Sequence, residues 1–259
     1  MPARILSGTA GWSIPRASAA QCPCDGTHLQ RYSRVLPAVE INSSFYRSHT
    51  AATYARWAAS TPPGFRFSVK MPRAITHEHR LRPPRLVEPM VRRFLAETSE
   101  LGHRRGPVLV QLPPSLEFDA RTADRFFGDL RSRHDGHVVC EPRHPTWFSA
   151  RAEALLVQHE IGRVAADPAR APGAELPGGW PGIVYYRLHG SPRIYWSSYT
   201  DEYLAALVGA IRRTPRAVDV WVIFDNTASG AALENALTAK SNDERASDLV
   251  DRTARSRPS

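Results

Sequence analysis

The sequence predicts an α/β fold: a TIM-type (β/α)8 barrel with parallel strands and an irregular or missing sixth helix. Three observations lead there. Eight short apolar runs read as strands, at about 4–9, 38–43, 65–70, 107–113, 137–143, 162–167, 182–190 and 219–226. Helical patterns separate them, and strand–helix alternation implies parallel pairing with right-handed crossovers. The length of 259 residues suits a single barrel of roughly 250.

The elements follow in order. Residues 29–36 repeat apolar groups at spacings of three and four after the first strand. Thr50 is a cap for a helix carrying Tyr54 and Trp57. Val91, Phe94, Leu95 and Leu101 form a stripe that Gly102 stops. Residues 168–181 are rich in Pro and Gly without helical period, so an irregular loop is expected in place of the sixth helix. Tyr203, Leu204, Leu207, Val208 and Ile211 share one side of a later helix. From Lys240 the chain is polar and lacks aromatic residues. The expectation is one barrel domain over 1–239 and a disordered tail over 240–259.

Composition narrows the function classes. Lys+Arg 34 against Asp+Glu 25 gives a net charge of +9, which favours anionic partners. The arginines are spread over helices without a basic block. Cys22, Cys24 and Cys140 are an odd number, which argues against a disulfide framework. No apolar stretch approaches the ~18 residues of a membrane span, and no signal-peptide core precedes the first strand. A cytoplasmic protein without membrane association is expected; oligomeric state is not legible.

The strand ends carry the chemistry. Alternate strand residues share a face, so terminal polar groups point the same way as the inward apolar ones and meet at the carboxyl mouth of a barrel. That mouth would hold the acids Glu40, Glu141, Asp167 and Asp225, the cations Lys70, Arg143 and Arg187, and the groups Asn42, Gln111, His144, His189 and Asn226. Glu40, Lys70, Glu141, His189 and Asp225 are the catalytic candidates; Asn42, Gln111, Arg143, His144, Arg187 and Asn226 are the substrate-binding ones. Buried charges are costly, and a chain selected for stability alone would place Val or Ile there. The alternative is a plug of mutually paired charges.

Lys70 and Lys240 are the lysines of a chain that otherwise uses arginine. An ammonium loses its proton when buried and a guanidinium does not, so Lys70 is a base, a Schiff-base nucleophile or a compact anion contact. Arg143 and Arg187 form either a bidentate clamp for an anion or partners for Glu141 and Asp225. No metal ligand is assigned: three cations in one space disfavour a divalent ion, and Cys22 and Cys24 with His28 lack a second cysteine pair. The cofactor is left open. Gly8 and Gly11 lack the spacing of a nucleotide-binding loop and are a weak hint of amides near an anion. Trp12, Phe45, Tyr46, Trp147, Tyr195, Trp196 and Tyr199 are aromatic groups near the mouth that suit base or sugar stacking, or rim packing.

Several motifs in order then resemble a known family: GTAGWS at 8–13, VEINSSFYR at 39–47, FRFSVKMPRAITH at 65–77, GPVLVQLPP at 106–114, EPRHPTWF at 141–148, YYRLHG at 185–190 and Phe224-Asp225-Asn226. Together they resemble the YecE-like family, a domain of unknown function numbered seventy-two. The resemblance covers about 4–238 and implies a TIM-type barrel without an assigned activity. Members commonly carry Phe-Asn-Asn where this chain has Asp225, an additional carboxylate. Three functional readings remain. One is an enzyme acting on a small anionic or phosphorylated substrate by hydrolase, isomerase or lyase chemistry. Another is a nucleic-acid-binding or nucleic-acid-processing barrel. The third is a non-catalytic metabolite-binding protein.

Overall fold

The computed structural model describes residues 4–213 and 218–255. Among these, ten strands form one sheet: β1 Ile5–Ala10, β2 Ala38–Ile41, β3 Arg66–Lys70, β4 Arg105–Gln111, β5 Val138–Glu141, β6 Ile161–Arg163, β7 Ala165–Asp167, β8 Gly178–Gly179, β9 Val184–Leu188 and β10 Val220–Phe224. The spatial order is β7-β9-β10-β1-β2-β3-β4-β5-β6-β8, parallel except for the small β6–β8 pair. The helices are α1 His28–Ser33, α2 Ala51–Ala59, α3 Pro84–Thr98, α4 Ala120–Arg131, α5 Ala150–Gln158, α6 Asp201–Arg213 and α7 Ala231–Arg255. The expected α/β barrel is the fold found.

Helix starts follow local chemistry. Thr50 Oγ1 accepts from the Thr53 amide at 3.3 Å, as the sequence predicts. Thr27 and Gln30 form a capping box ahead of α1. Asp119 and Ser149 cap α4 and α5.

Two apolar layers result from strand alternation. Leu6, Ala38, Leu109, Val139, Val164, Ile183, Tyr185, Trp221 and Ile223 fill the barrel lumen. The opposite strand faces, with Val39, Phe67, Val110, Cys140 and Val222, pack against helix residues such as Leu29, Phe94, Phe127 and Leu204. Each large side chain buried there contributes roughly 1.5–3 kcal/mol. The lumen is apolar at its amino end and polar at its carboxyl end, which is what positions the site.

The sixth strand departs from expectation. It is broken at Val164: β6 pairs with β5, whereas β7 pairs with β9. The ring is therefore closed through the chain itself. Outside it, residues 168–177 form no helix, in line with the Pro- and Gly-rich sequence. The 168–177 loop covers the seam in place of a helix, with Ala166 N–H donating to Ala174 O at 2.7 Å. Because a loop opens locally more readily than a packed helix, the amides of 161–167 are expected to exchange with solvent before those of β1, β2 and β10 in hydrogen-exchange measurements. Uniform protection around the ring would contradict this.

A second departure is the tail. The expected disordered segment from Lys240 instead continues α7 as far as Arg255, while 256–259 lie outside the described residues. Tertiary pairing explains it. Arg212 of α6 donates to Asp243 Oδ1 at 2.6 Å and to Ser247 Oγ at 2.6 Å. Lys240 pairs with Glu244 at 3.0 Å one turn on. No described helix is long and apolar enough to cross a membrane.

Candidate active site at the barrel mouth

Inward positions two residues beyond the apolar layer converge on Arg187, which is 0% exposed. Its Nε and Nη2 donate to Glu40 Oε2 and Oε1 at 2.9 and 2.8 Å. Nη1 donates to Glu141 Oε2 at 2.7 Å, and Nη2 also to Asp225 Oδ2 at 3.0 Å. One guanidinium thus ties β2, β5 and the end of β10 to β9. Part of this mouth is the paired plug that the sequence offered as an alternative. Arg187 is placed as a structural hub and not as an anion clamp, because its donors are taken by carboxylates.

Glu40 is fully buried as well. Tyr185 Oη lies 3.0 Å from Glu40 Oε2 and 2.9 Å from Ser68 Oγ. Both Glu40 oxygens are engaged, so it is a counter-charge to Arg187 and not a reachable base. Glu141 collects more partners. Gln111 Nε2 donates to its Oε2 at 2.9 Å, and Arg143 Nε to its Oε1 at 3.1 Å. Burial opposes ionisation of Glu141, but the charges of Arg187, Arg143 and His189 outweigh it and hold its carboxyl well below the usual range. Asp225 is shifted the same way, burial again being overcome by Arg187 and His189.

His189 bridges the acids. Nδ1 lies 3.0 Å from Asp225 Oδ2 and Nε2 3.1 Å from Glu141 Oε1. Burial favours the neutral ring, yet Glu141 and the bonds to both carboxylates win and raise its pKa. Lys70 differs from these groups. It is 5% exposed, and among the described residues its Nζ has no hydrogen-bond or ion-pair partner. The ammonium sits 4.1 Å above the centre of the Phe45 ring. Burial first, then Arg187, push its pKa down to about 8, against the pull of Glu40, Asp225 and Glu141. His77, edge-on to Phe45 at 4.9 Å, is kept neutral down to about pH 4 by burial and by Lys70 and Arg143.

The remaining candidates separate. Asn42 is half-buried at the end of β2, and its Oδ1 has no partner. His144 turns back on its own chain, capping residues 145–148 through Thr146 at 2.9 Å, and is not part of the cluster. Asn226 donates to Ser197 O and Asn235 Oδ1, so it fastens α7 to the loop after β9. Asp167 accepts from Tyr199 Oη at 2.7 Å. Sequence reasoning missed Tyr185, Ser68 and Arg170. The first two stand two residues before Arg187 and Lys70, so strand alternation contains the signal; Arg170 lies in the irregular loop and carries none.

A narrow cleft opens beside His189, lined by Glu141, Arg143, Ala166, Arg170, His189 and Ile194 among others. It has a volume of about 10 Å³, room for about one water-sized group. Tyr195, with a left-handed φ of 68°, lies edge-on to His189 at 5.8 Å on the rim. Among the described residues no group of three or more His, Cys, Asp or Glu side chains is arranged to hold a metal ion.

A family model described as a protein of unknown function, DUF72, matches residues 6–257. The chain belongs to the DUF72 family. Curated relatives are similar at lower coverage. The UPF0759 protein YecE of Escherichia coli K12 is 31% identical over 63% of this chain and 59% of its own length. The UPF0759 protein YunF of Bacillus subtilis is 30% identical over 56% of this chain. The alignment spans 52% of that protein, so a little over half of each relative is matched. A DUF72 family structure from Enterococcus faecalis has a TM-score of 0.77 at 21% identity, covering 93% of this chain and 95% of the other. One from Thermotoga maritima has a TM-score of 0.72 at 25% identity, covering 92% and 98%. These DUF72 structures share the barrel.

Proposed function

We infer that this DUF72 barrel is an enzyme that acts on a small anionic or phosphorylated substrate at its carboxyl mouth. The observation that carries this is the composition of the cleft. Arg143, Arg170 and His189 line it, and the carboxylate in its wall, Glu141, is already bonded to Arg187 and Gln111. Counting the groups behind it, Glu40, Glu141 and Asp225 face Arg187, Arg143, Lys70 and protonated His189, which leaves one positive charge over. In this reading Arg143 and Arg170 hold the anion. His189 is the general acid, its proton maintained by Glu141 and Asp225. Hydrolase, isomerase and lyase chemistry all suit such a donor.

The test is calorimetric titration with inorganic phosphate, with Arg143→Ala and His189→Asn beside the parent. Saturable binding weakened at least tenfold in Arg143→Ala is expected. Affinity should fall as pH rises through the raised pKa of His189, and this pH dependence should vanish in His189→Asn. Absence of saturable binding, or equal binding in both variants, contradicts the reading. Conversion of phosphorylated metabolites by the parent and not by His189→Asn distinguishes catalysis from metabolite sensing.

One observation favours the nucleic-acid reading as the second choice. Arg80, Arg82, Arg121 and Arg151 line two adjoining hollows beyond the mouth, next to the start of α4. A single-stranded oligonucleotide would then bind with an affinity that falls steeply with salt.

A further inference from the structure

We propose that Lys70 forms a covalent imine with a carbonyl carbon of the anionic substrate, which places the substrate among keto acids, aldehyde acids or keto phosphates. This rests on the small-anion reading of the mouth and specifies its chemistry.

Three observations support it. Lys70 Nζ is nearly enclosed and has no hydrogen-bond or ion-pair partner among the described residues. The other cations of the cluster, buried Arg187 and half-buried Arg143, are paired with carboxylates at 2.7–3.1 Å. Leaving an ammonium unpaired in such a place is costly unless a ligand or loss of the proton relieves it. Second, Ile41, the last residue of β2, pairs with Val69, so Asn42 leaves the ladder beside the strand end that carries Lys70. Asn42 Oδ1 is likewise buried without a partner, so two unmet polar groups stand at the ends of these neighbouring strands. Third, a guanidinium cannot become a nucleophile, and this chain places a lysine here although arginine serves nearly everywhere else. The field of the site agrees. A pKa of about 8 raises the neutral amine at pH 7 by roughly two orders of magnitude over an ordinary lysine.

The step balances without an oxidant. The neutral amine adds to the carbonyl carbon, forming the C–N bond, and one N–H proton passes to the carbonyl oxygen. A second proton, from the His189 imidazolium, turns that hydroxyl into departing water and leaves a protonated C=N bond. Such an iminium withdraws electrons from the adjacent carbon, the requirement shared by lyase and isomerase chemistry.

The experiment exploits the scarcity of lysine. The parent protein is incubated separately with glyoxylate, pyruvate and dihydroxyacetone phosphate, each with sodium borohydride, and adducts are mapped by peptide mass spectrometry. The expected result is reductive trapping on Lys70 at least tenfold faster than on Lys240 with one or more of the three, and none at position 70 in Lys70→Arg. The comparison of Lys70 with Lys240 lies within one protein and does not depend on the variant folding. If no probe traps on Lys70, or Lys240 reacts as fast, the proposal is overturned. Inorganic phosphate titration of the same sample separates the causes: binding retained means the imine alone fails, and binding absent means the small-anion reading fails with it.

Discussion

Replacing Arg187 by Met will destabilise the barrel by about 3–5 kcal/mol, because three carboxylates lose their shared counter-charge in a site they cannot leave. Glu40, Glu141 and Asp225 meet one guanidinium that is 0% exposed, at 2.7–3.0 Å. Met fills similar volume and supplies no charge. The sign of the pH effect follows. In the parent, the carboxyls of Glu141 and Asp225 titrate below their ordinary values. Their contribution is therefore present above the unfolded values of roughly 4.3 and 3.9, and is lost as pH falls through the lower folded ones. In the variant the same carboxylates favour protonation, so its deficit is largest at neutral pH and narrows toward pH 4.5. Urea unfolding of both proteins at pH 7, 5.5 and 4.5 measures this. A deficit under about 1 kcal/mol, or one independent of pH, would refute the hub.

Gly8→Ala is expected to remove about 3 kcal/mol or more, through backbone contact and not through charge. A Cβ built on Gly8 would lie 2.2 Å from the Ala38 carbonyl oxygen and 2.7 Å from its carbon. Those atoms belong to β2, which is hydrogen-bonded to β1, so neither strand can withdraw without opening the ladder. Gly11 is the control. It has φ of +86°, and nothing lies within 4 Å of an added Cβ. Its substitution by Ala should cost only about 1 kcal/mol of backbone strain. Thermal melts of both variants decide the matter, and equal losses would dismiss the close-approach argument. The glycine pair is thus explained by strand packing and turn conformation.

The inward set Glu40, Lys70, Gln111, Glu141, Arg187, His189 and Asp225 was legible because a strand alternates with period two and each of these stands two residues after another inward position, apolar for all but Lys70 and His189. Parity also explains the errors. His144 is three residues from Glu141 and Asn226 is one from Asp225, so both fall out of phase with the lumen. What the sequence could not supply is which heights meet across it. That depends on register stagger around the ring, and it decides that Arg187 answers to three acids while Lys70 answers to none. The helical extension to Arg255 was hidden for a similar reason, since Arg212 and Asp243 are brought together by the packing of two helices. The break at Val164 left no trace either: Arg163 interrupts the apolar residues of 161–166, but nothing in the sequence marks a change of strand partner.

That break has a mechanical consequence. A ladder resists stretching because every rung must yield at once, whereas a single backbone joint can flex by rotation about a few bonds. At Val164 the barrel possesses such an expansion joint, flanked by the strands that carry Glu141 and His189. Widening the circumference there would cost the bond that Val164 N–H donates to Cys140 O at 2.9 Å while the ladders on either side stay paired, so the size of what the mouth admits is set by that joint and not by a whole ladder.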